Sequence, residues 1–326
     1  MKILQVAVWG LGRHALKNII PALQNCPGIN FYGVCSRNND TVSKTVLESG
    51  CKGWTKYEEM LEDGHVDVVY LATPIALHHP QGKAVLLASK HLWCEKPLAQ
   101  NLAQAEELLE LSKAMNISIA EGFMYLYHPQ FLQLQEIVRT GKLGIIQGIN
   151  CRFGIPPLDQ PGFRNTRELG GGAFLDVGSY PVSAIISLFP DPEADVLFSE
   201  INTISGSSVD TAGRAVLRVA NMNIMLDWST ISSYRNEIDI WGTEGSVSTS
   251  RIFSKSSGYL PCFRFTDVHG NESKEECTAN NHFLEMFKVF HENTTDKNKI
   301  EKERQMILCR ARLMNKIQKF KICREK

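Results

Sequence analysis

Three short stretches of this chain carry residue types that can do chemistry: Gly10-Leu11-Gly12-Arg13-His14-Ala15, Cys94-Glu95-Lys96-Pro97, and the run from Gly170 to Tyr180 with Asp176 inside it. The first has the spacing GxGxxA, in which each small residue has a steric task. Gly10 allows a tight turn, Gly12 lets the backbone approach a pyrophosphate, and Ala15 lets a helix pack closely on a strand. The helix starting there offers unbonded N–H groups and partial positive charge to phosphates. This is the chemistry of dinucleotide binding; the alternative is an ordinary glycine-rich turn.

The identity of the dinucleotide is set roughly 20 residues further on, where an acid binds the ribose 2′-hydroxyl in NAD sites. Here the chain reads Cys35-Ser36-Arg37, with no acid before Asp40. Ser36 can donate a hydrogen bond and Arg37 a bidentate ion pair to a 2′-phosphate, which favours NADP(H) over NAD(H). The other reading of Arg37 is a solvated loop cation. The second stretch places an acid and a lysine at the end of a strand, where parallel sheets bind ligands. In the third, Asp176 and Tyr180 are four apart and share one face if the segment is an α-helix. Each has a purely structural alternative: Lys96 as a surface residue, Asp176 as an ion-pair partner, Tyr180 as a core aromatic.

Positioning these residues takes a particular set of elements. Strands are expected at Leu4–Trp9, Asn30–Cys35, Lys52–Trp54, Val66–Leu71, His91–Cys94 and Ile117–Ala120, with helices at Ala15–Leu23, Thr55–Leu61, His79–Ala88 and Ala103–Met115. Alternating strands and helices predict a doubly wound parallel sheet, an α/β Rossmann domain over residues 1–121. Past Gly122 the alternation of Ile149, Cys151, Phe153 and Ile155, then of Met222, Ile224, Leu226 and Trp228, and the strand Glu237–Trp241 before a Gly242-Thr243-Glu244-Gly245 turn, predict a mostly antiparallel sheet. Residues 122–326 are expected to form this second, α+β domain, closed by a helix from Met306 to Phe320 that is expected to pack back on the N-terminal domain.

Composition narrows the function. The 326 residues suffice for two domains; 43% are hydrophobic and 21% charged, as in soluble globular chains, and 35 basic residues balance 35 acidic ones. Neither nucleic acid nor a membrane is an expected partner, because there is no net positive field and no run of roughly 18 uncharged apolar residues. Nine cysteines, none closer than nine residues to the next, form neither a zinc motif nor a disulfide framework, so no metal is expected and a reducing cytoplasm is the simplest compartment. The apolar start of the chain lacks a cleavage site and reads as a strand rather than a signal peptide.

Together these motifs, in this order and spacing, resemble the glucose-fructose oxidoreductase, inositol dehydrogenase and rhizopine-catabolism family of NAD(P)-dependent sugar oxidoreductases, over nearly the whole chain. The resemblance implies a Rossmann domain followed by an open-faced, mostly antiparallel sheet that often mediates homodimers or homotetramers. Within the family the chain is most similar to sugar-nucleotide C-3 ketoreductases, through Glu121 to Gln130, Phe153 to Pro157, Gly170 to Pro181, and Tyr234 to Glu237 with Gly242 to Gly245. Tyr180 stands where many members carry His. Where many members carry Asn after the fourth strand, this chain has Thr73-Pro74-Ile75-Ala76-Leu77-His78, keeping the histidine.

The resemblance implies that Lys96, Asp176 and Tyr180 carry the reaction. It also implies that Gly10, Leu11, Gly12, Arg13, His14, Ala15, Ser36, Arg37, Thr73, Pro74, His78, Glu95, Lys96, Met124 and Arg164 line the NADP(H) site. Hydride transfer to a ketone creates negative charge on its oxygen, so a proton donor and a nearby cation are needed. Tyr180 would be the acid, with a neighbouring ammonium favouring its phenolate, and Asp176 would orient Lys96 or a sugar hydroxyl. Arg164 would pair with a phosphate of cofactor or sugar nucleotide, or with a surface acid. His128, beside Tyr127, is expected to be a buried hydrogen-bonded histidine, His78 and His79 to lack further metal ligands, and Cys94 to be strand core. The expected function is reduction of a keto nucleotide sugar at C-3. An aldose or trans-dihydrodiol dehydrogenase, and a non-catalytic dinucleotide-binding regulator, are the alternatives.

Overall fold

The computed structural model describes residues 2–189, 194–320 and 322–325. The chain divides into two compact units, Met1–Gly122 with Phe283–Leu308, and Phe123–His282 with Cys309–Lys326.

In the first unit six parallel strands, β1 (Leu4–Trp9), β2 (Ile29–Cys35), β3 (Lys52–Trp54), β4 (Val68–Leu71), β5 (His91–Cys94) and β6 (Ile119–Glu121), lie in the order β3-β2-β1-β4-β5-β6. The order reverses at β1 and β4, which is the switch point of a Rossmann sheet, where ligands bind beyond the strand ends. Every expected strand is present to within two residues. The helices are α1 (Ile20–Gln24), entered through a π turn at Ala15–Ile19, α2 (Asn39–Ser49), α3 (Tyr57–Glu62), α4 (Ile75–Leu87) and α5 (Leu102–Ala114). α2 has a sequence signal that the reading above leaves unassigned: Asn38 caps it, accepting from the Thr41 amide, and Gly50 ends it in the left-handed region.

The second unit opens with α6 (Pro129–Arg139) and contains β7 (Ile146–Gly154), α7 (Ser179–Leu188), β8 (Ala194–Thr203), β9 (Ala212–Val219), β10 (Met222–Ser229), β11 (Arg235–Gly242), β12 (Gly245–Ser250), β13 (Cys262–Asp267) and β14 (Glu272–Glu276). The chain then forms α8 (His282–Asn293), α9 (Lys297–Phe320) and β15 (Ile322–Glu325). Nine strands form one sheet, β14-β13-β12-β11-β7-β10-β9-β8-β15, antiparallel except for the β7–β10 and β8–β15 pairs. One face is apolar, with Cys151, Phe153, Leu217, Leu226, Trp228 and Ile240 buried, and α7 packs on β7 and β10 there. The other is polar: Arg152 bonds Asp227 (3.1 Å) and Glu237 (3.2 Å), while Arg214 and Arg235 flank those acids. The stretch Arg167–Leu188 is apolar enough on average to cross a membrane, but 83% of its most apolar window is buried within the structure, as in a core helix, and it holds no uncharged apolar run of the length a span needs.

α8 and the start of α9 group with the first unit, because their apolar residues complete its core. Phe287 and Phe290 pack on Trp93, Phe287 also on Tyr70, and Ile307 joins the cluster around Val85, Leu92 and Leu108. Arg304 ties the return to α5 through Ser112 and the Ile117 carbonyl.

Candidate functional site

In the first unit the glycine turn follows β1. Gly10 has φ +108, and a Cβ there would meet the backbone of Ala72 and the Thr73 methyl at 2.8 Å, so only glycine fits against the β4–α4 loop. Gly12 has open space where a Cβ would be, as the approach of a pyrophosphate requires. Leu11 and Arg13 lie in the same turn, and Ala15 is buried in the first turn beyond it. At the end of β2, Ser36 Oγ accepts from the Asn38 amide. Among the described residues Arg37 has no ion-pair or hydrogen-bond partner, so nothing within the described chain neutralises its charge.

The side chains of His14, beyond β1, Glu95, beyond β5, and Tyr70, within β4, meet one another. His14 Nε2 lies 3.0 Å and the Tyr70 hydroxyl 2.6 Å from the same Glu95 carboxylate oxygen, and the Asn18 amide lies 3.0 Å from His14 Nδ1. Burial pushes the Glu95 carboxyl up, but the charge and hydrogen bond of His14, the Tyr70 hydroxyl and the Lys96 ammonium outweigh it and hold the pKa at about 2. Glu95 is therefore an anion beside Lys96, whose peptide bond to Pro97 is cis. Next along the chain the Leu98 amide donates to buried Glu121 at 2.7 Å.

His78 is 1% exposed and sits between two loops, with Nδ1 2.8 Å from the Pro97 carbonyl and Nε2 2.9 Å from the Thr73 carbonyl; burial lowers its pKa, so the neutral ring donates to one of the two. The Thr73 hydroxyl donates to Gln81, and Pro74 caps α4. His79 pairs with Glu107 at 2.8 Å. Cys94 is strand core, its thiol pushed well above the ordinary value by burial and by the charges of Glu95 and Glu121.

In the second unit the segment around Asp176 is only in part an α-helix. Phe174–Gly178 is a π turn, which bonds i to i+5, and α7 starts at Ser179. The buried Asp176 carboxylate accepts from Arg164 Nε at 2.6 Å. The Arg164 guanidinium also lies 5.2 Å from the Phe163 ring. The glycine run lets this loop come close: the Gly172 amide donates to the Arg164 carbonyl, and a Cβ at Gly171 would collide with the Phe163 and Arg164 carbonyls. On its other side Asp210 accepts from the Phe174 amide at 2.7 Å.

Tyr180 is 6% exposed. Its ring touches Phe123 (5.5 Å), Tyr125 (5.8 Å), Phe153 (5.0 Å) and Phe253 (5.6 Å), and its hydroxyl lies 3.8 Å from Met124 Sδ. Ser183 and Tyr125 both bond the Tyr180 carbonyl, fixing the start of α7. Tyr127 lies in the 3₁₀ turn with Met124. His128 is fully buried and caps α6, its Nδ1 accepting from the Gln130 amide, and burial lowers its pKa to about 4. Tyr70, Asn18, Glu121 and Asp210 were not singled out from the sequence. Only Glu121 carried a signal, as an acid ending a parallel strand as Glu95 nearly does.

Two connected patterns of one family match the chain: the oxidoreductase family NAD-binding Rossmann fold over residues 4–123, and the GFO/IDH/MocA C-terminal domain over residues 131–248. The chain belongs to this family of oxidoreductases. It is similar to the dTDP-3,4-didehydro-2,6-dideoxy-alpha-D-glucose 3-reductase of Streptomyces violaceoruber, 29% identical over 276 residues, covering 84% of this chain and 80% of that protein. It is also 28% identical to the trans-1,2-dihydrobenzene-1,2-diol dehydrogenase of Xenopus laevis, over 82% of this chain and 80% of that one. Among solved structures, a 3-ketoreductase from Actinomadura kijaniata in complex with NADP and TDP-benzene superposes with a TM-score of 0.94 at 25% identity, covering 99% of both chains.

Proposed function

We propose that this protein is an NADPH-dependent reductase of a keto nucleotide sugar, acting at C-3 as its relatives are named to do. The observation that carries the reading is Tyr180, a phenol whose ring is held by four aromatic neighbours with little access to water. There its O–H is a defined proton donor for a carbonyl oxygen in a low-dielectric setting. The reduced nicotinamide, when bound, supplies the hydride. Lys96 stabilises the negative charge that grows on the oxygen, and Glu95, kept ionised by His14 and Tyr70, keeps company with that ammonium. Asp176 and Arg164 orient substrate as a pair. Gly10, Leu11, Gly12, Arg13, His14 and Ala15 receive the pyrophosphate, Ser36 and Arg37 the 2′-phosphate, and Thr73, Pro74 and Met124 complete the lining. Residues 1–122 supply the cofactor-binding part and the second unit the substrate-binding part.

The test follows NADPH absorbance against 3-keto nucleotide sugars, free aldoses and ketoses and trans-dihydrodiols, with NADH in parallel. Consumption of NADPH with nucleotide-linked ketones alone is expected. Activity confined to free sugars or dihydrodiols would move the protein to the second reading, a dehydrogenase, which the likeness to the Xenopus enzyme favours. We further propose a homo-oligomer in the cytoplasm. Exposed Trp241 and Met225 on the open sheet face support association. A monomeric mass by light scattering would refute the first.

A further inference from the structure

One residue on the apolar stripe of α9 is charged. Leu313, Met314 and Ile317 are buried at the spacing of one helix face, and Arg310 stands on that same face, itself only 3% exposed. Arginine rarely occupies a core position, and a charge placed there costs desolvation whatever it is paired with. Its guanidinium also stays charged at every pH a protein meets. The reduction proposed above gives this buried cation no part.

Phe123 links Arg310 to Tyr180. The guanidinium lies 5.4 Å from the centre of the Phe123 ring, in cation–π range, and the same ring meets Tyr180 edge to face at 5.5 Å and 87°. All three residues belong to the second unit. The charge also reaches the neighbouring phenol, Tyr125. Burial pushes the Tyr125 hydroxyl well above its ordinary pKa, while its hydrogen bond with Ser183 and the Arg310 charge pull it down.

The other titratable groups buried in the elements packed around Tyr180 are Cys151, His128 and Asp176, with half-buried Lys255 in the loop after β12. Burial raises the Cys151 thiol and lowers His128 to about 4, so both are neutral near neutral pH. Asp176 is paired with Arg164, and Lys255, lowered by burial to about 7, loses its charge as the solution turns basic. Arg310 is the positive charge of this group that no change of pH removes.

We propose that Arg310 is a positioning residue for Tyr180: its fixed charge favours the phenolate that Tyr180 becomes on giving up its proton, and its guanidinium holds Phe123 against the Tyr180 ring. The inference rests on the reading of Tyr180 as the proton donor. As the ketone carbon receives its hydride, the Tyr180 O–H bond breaks, the proton joins the carbonyl oxygen to complete the alcohol, and the electron pair stays behind on the phenolate. A unit charge roughly 10 Å from a phenol, at an effective dielectric of about 20, favours the phenolate by about one pH unit. Sharing the Phe123 ring keeps Arg310 and Tyr180 at about that separation or closer. Lys96 then serves the oxygen that gains the proton, and Arg310 the oxygen that loses it.

The experiment labels the tyrosines isotopically at the phenol carbon, assigns Tyr180 by the signal missing in Tyr180→Phe, and follows its ionisation by NMR as pH is raised. NADPH-dependent turnover of a 3-keto thymidine diphosphate sugar and urea unfolding are measured on the same proteins. Arg310→Met and Arg310→Gln should each raise the Tyr180 pKa by about one unit and lower kcat by roughly 3- to 10-fold. KM and NADPH affinity should stay within about twofold. Arg310→Lys keeps the charge and should restore both the titration and most of the turnover. Where Arg310→Met does not fold, Arg310→Gln carries the comparison. Stability losses in every variant with the Tyr180 titration unmoved would make Arg310 a scaffold residue and overturn the inference, while the role of Tyr180 stands. A titration moved as far by Arg310→Lys as by Arg310→Met would deny the charge its part and overturn it as well. If the wild type reduces no nucleotide-linked ketone and the titration still shifts as expected, the nucleotide-sugar reading falls and the link between Arg310 and Tyr180 stands.

Discussion

The surroundings of Glu95 and those of Tyr180 are built from opposite materials. Glu95 sits in a knot of hydrogen bonds and charge, formed by side chains that arrive together because parallel strands end side by side. Tyr180 sits in a cage of rings drawn from the turn before α6, from β7 and from the loop after β12. Charge fixes protonation state at the first, and shape fixes the position of a phenol at the second. The reduction proposed above would draw on both, since a donor without a cation loses electrostatic help and a cation without a placed donor has no proton to deliver.

The largest expected effect comes from the cage. Tyr180→Phe keeps every ring contact and removes only the hydroxyl, so NADPH should bind within about twofold of wild type while turnover falls by about 10²- to 10⁴-fold, as loss of a general acid does. Stopped-flow and steady-state rates measure it, and unchanged turnover would end the role assigned to Tyr180.

The knot should answer in stability. The Glu95 pKa falls from an ordinary 4.5 to about 2, so its ionisation stabilises the fold fully above pH 4.5 and progressively less as pH falls toward 2. Glu95→Gln should cost on the order of 3 kcal/mol in urea unfolding at pH 7, with the gap to wild type narrowing below pH 4.5. A gap independent of pH would mean that packing, not charge, holds this region.

Arg37→Ser should weaken NADPH by about 10- to 100-fold, the value of charge-assisted hydrogen bonds to a phosphate, and leave NADH affinity alone. Equal loss for both cofactors would deny Arg37 its role. The smallest change is Phe253→Leu, which trims one wall of the cage. About 1 kcal/mol of stability and a few-fold of turnover should go, since aromatic pairs contribute roughly 0.5–1.5 kcal/mol each. A loss as large as that of Tyr180→Phe would show that the cage sets reactivity as well as position.

The two regions also differ in how far they could be read from the chain. Gly10, Glu95 and Lys96 follow strands with a clear apolar pattern, so their place at the sheet edge was legible before any coordinates. Tyr70 was not, because a tyrosine inside a buried strand looks like core until the neighbouring strand end is placed beside it. The cage was less legible still: Phe123, Phe153 and Phe253 are ordinary apolar residues in sequence, and only the register of β7 and the path of the loop after β12 bring them to one ring. His78 was legible as part of the motif segment but not its seat between the Thr73 and Pro97 carbonyls, which depends on how two loops meet. The π turn at Asp176 was hidden because α and π turns share composition and differ only in one bond.

The path of the chain between its two units has a consequence for how this protein can be recombined. It passes from one unit to the other at Gly122 to Phe123, back at His282 to Phe283, and over again at Leu308 to Cys309. Grafting residues 1–122 of a relative would bring in the glycine turn and Glu95 but keep the host's Phe287, Phe290 and Ile307, whose shapes were fitted to another sheet. Chimeras that exchange cofactor preference should therefore tolerate a change confined to the Ser36–Arg37 turn and resist a swap of the whole amino-terminal segment unless residues 283–308 travel with it.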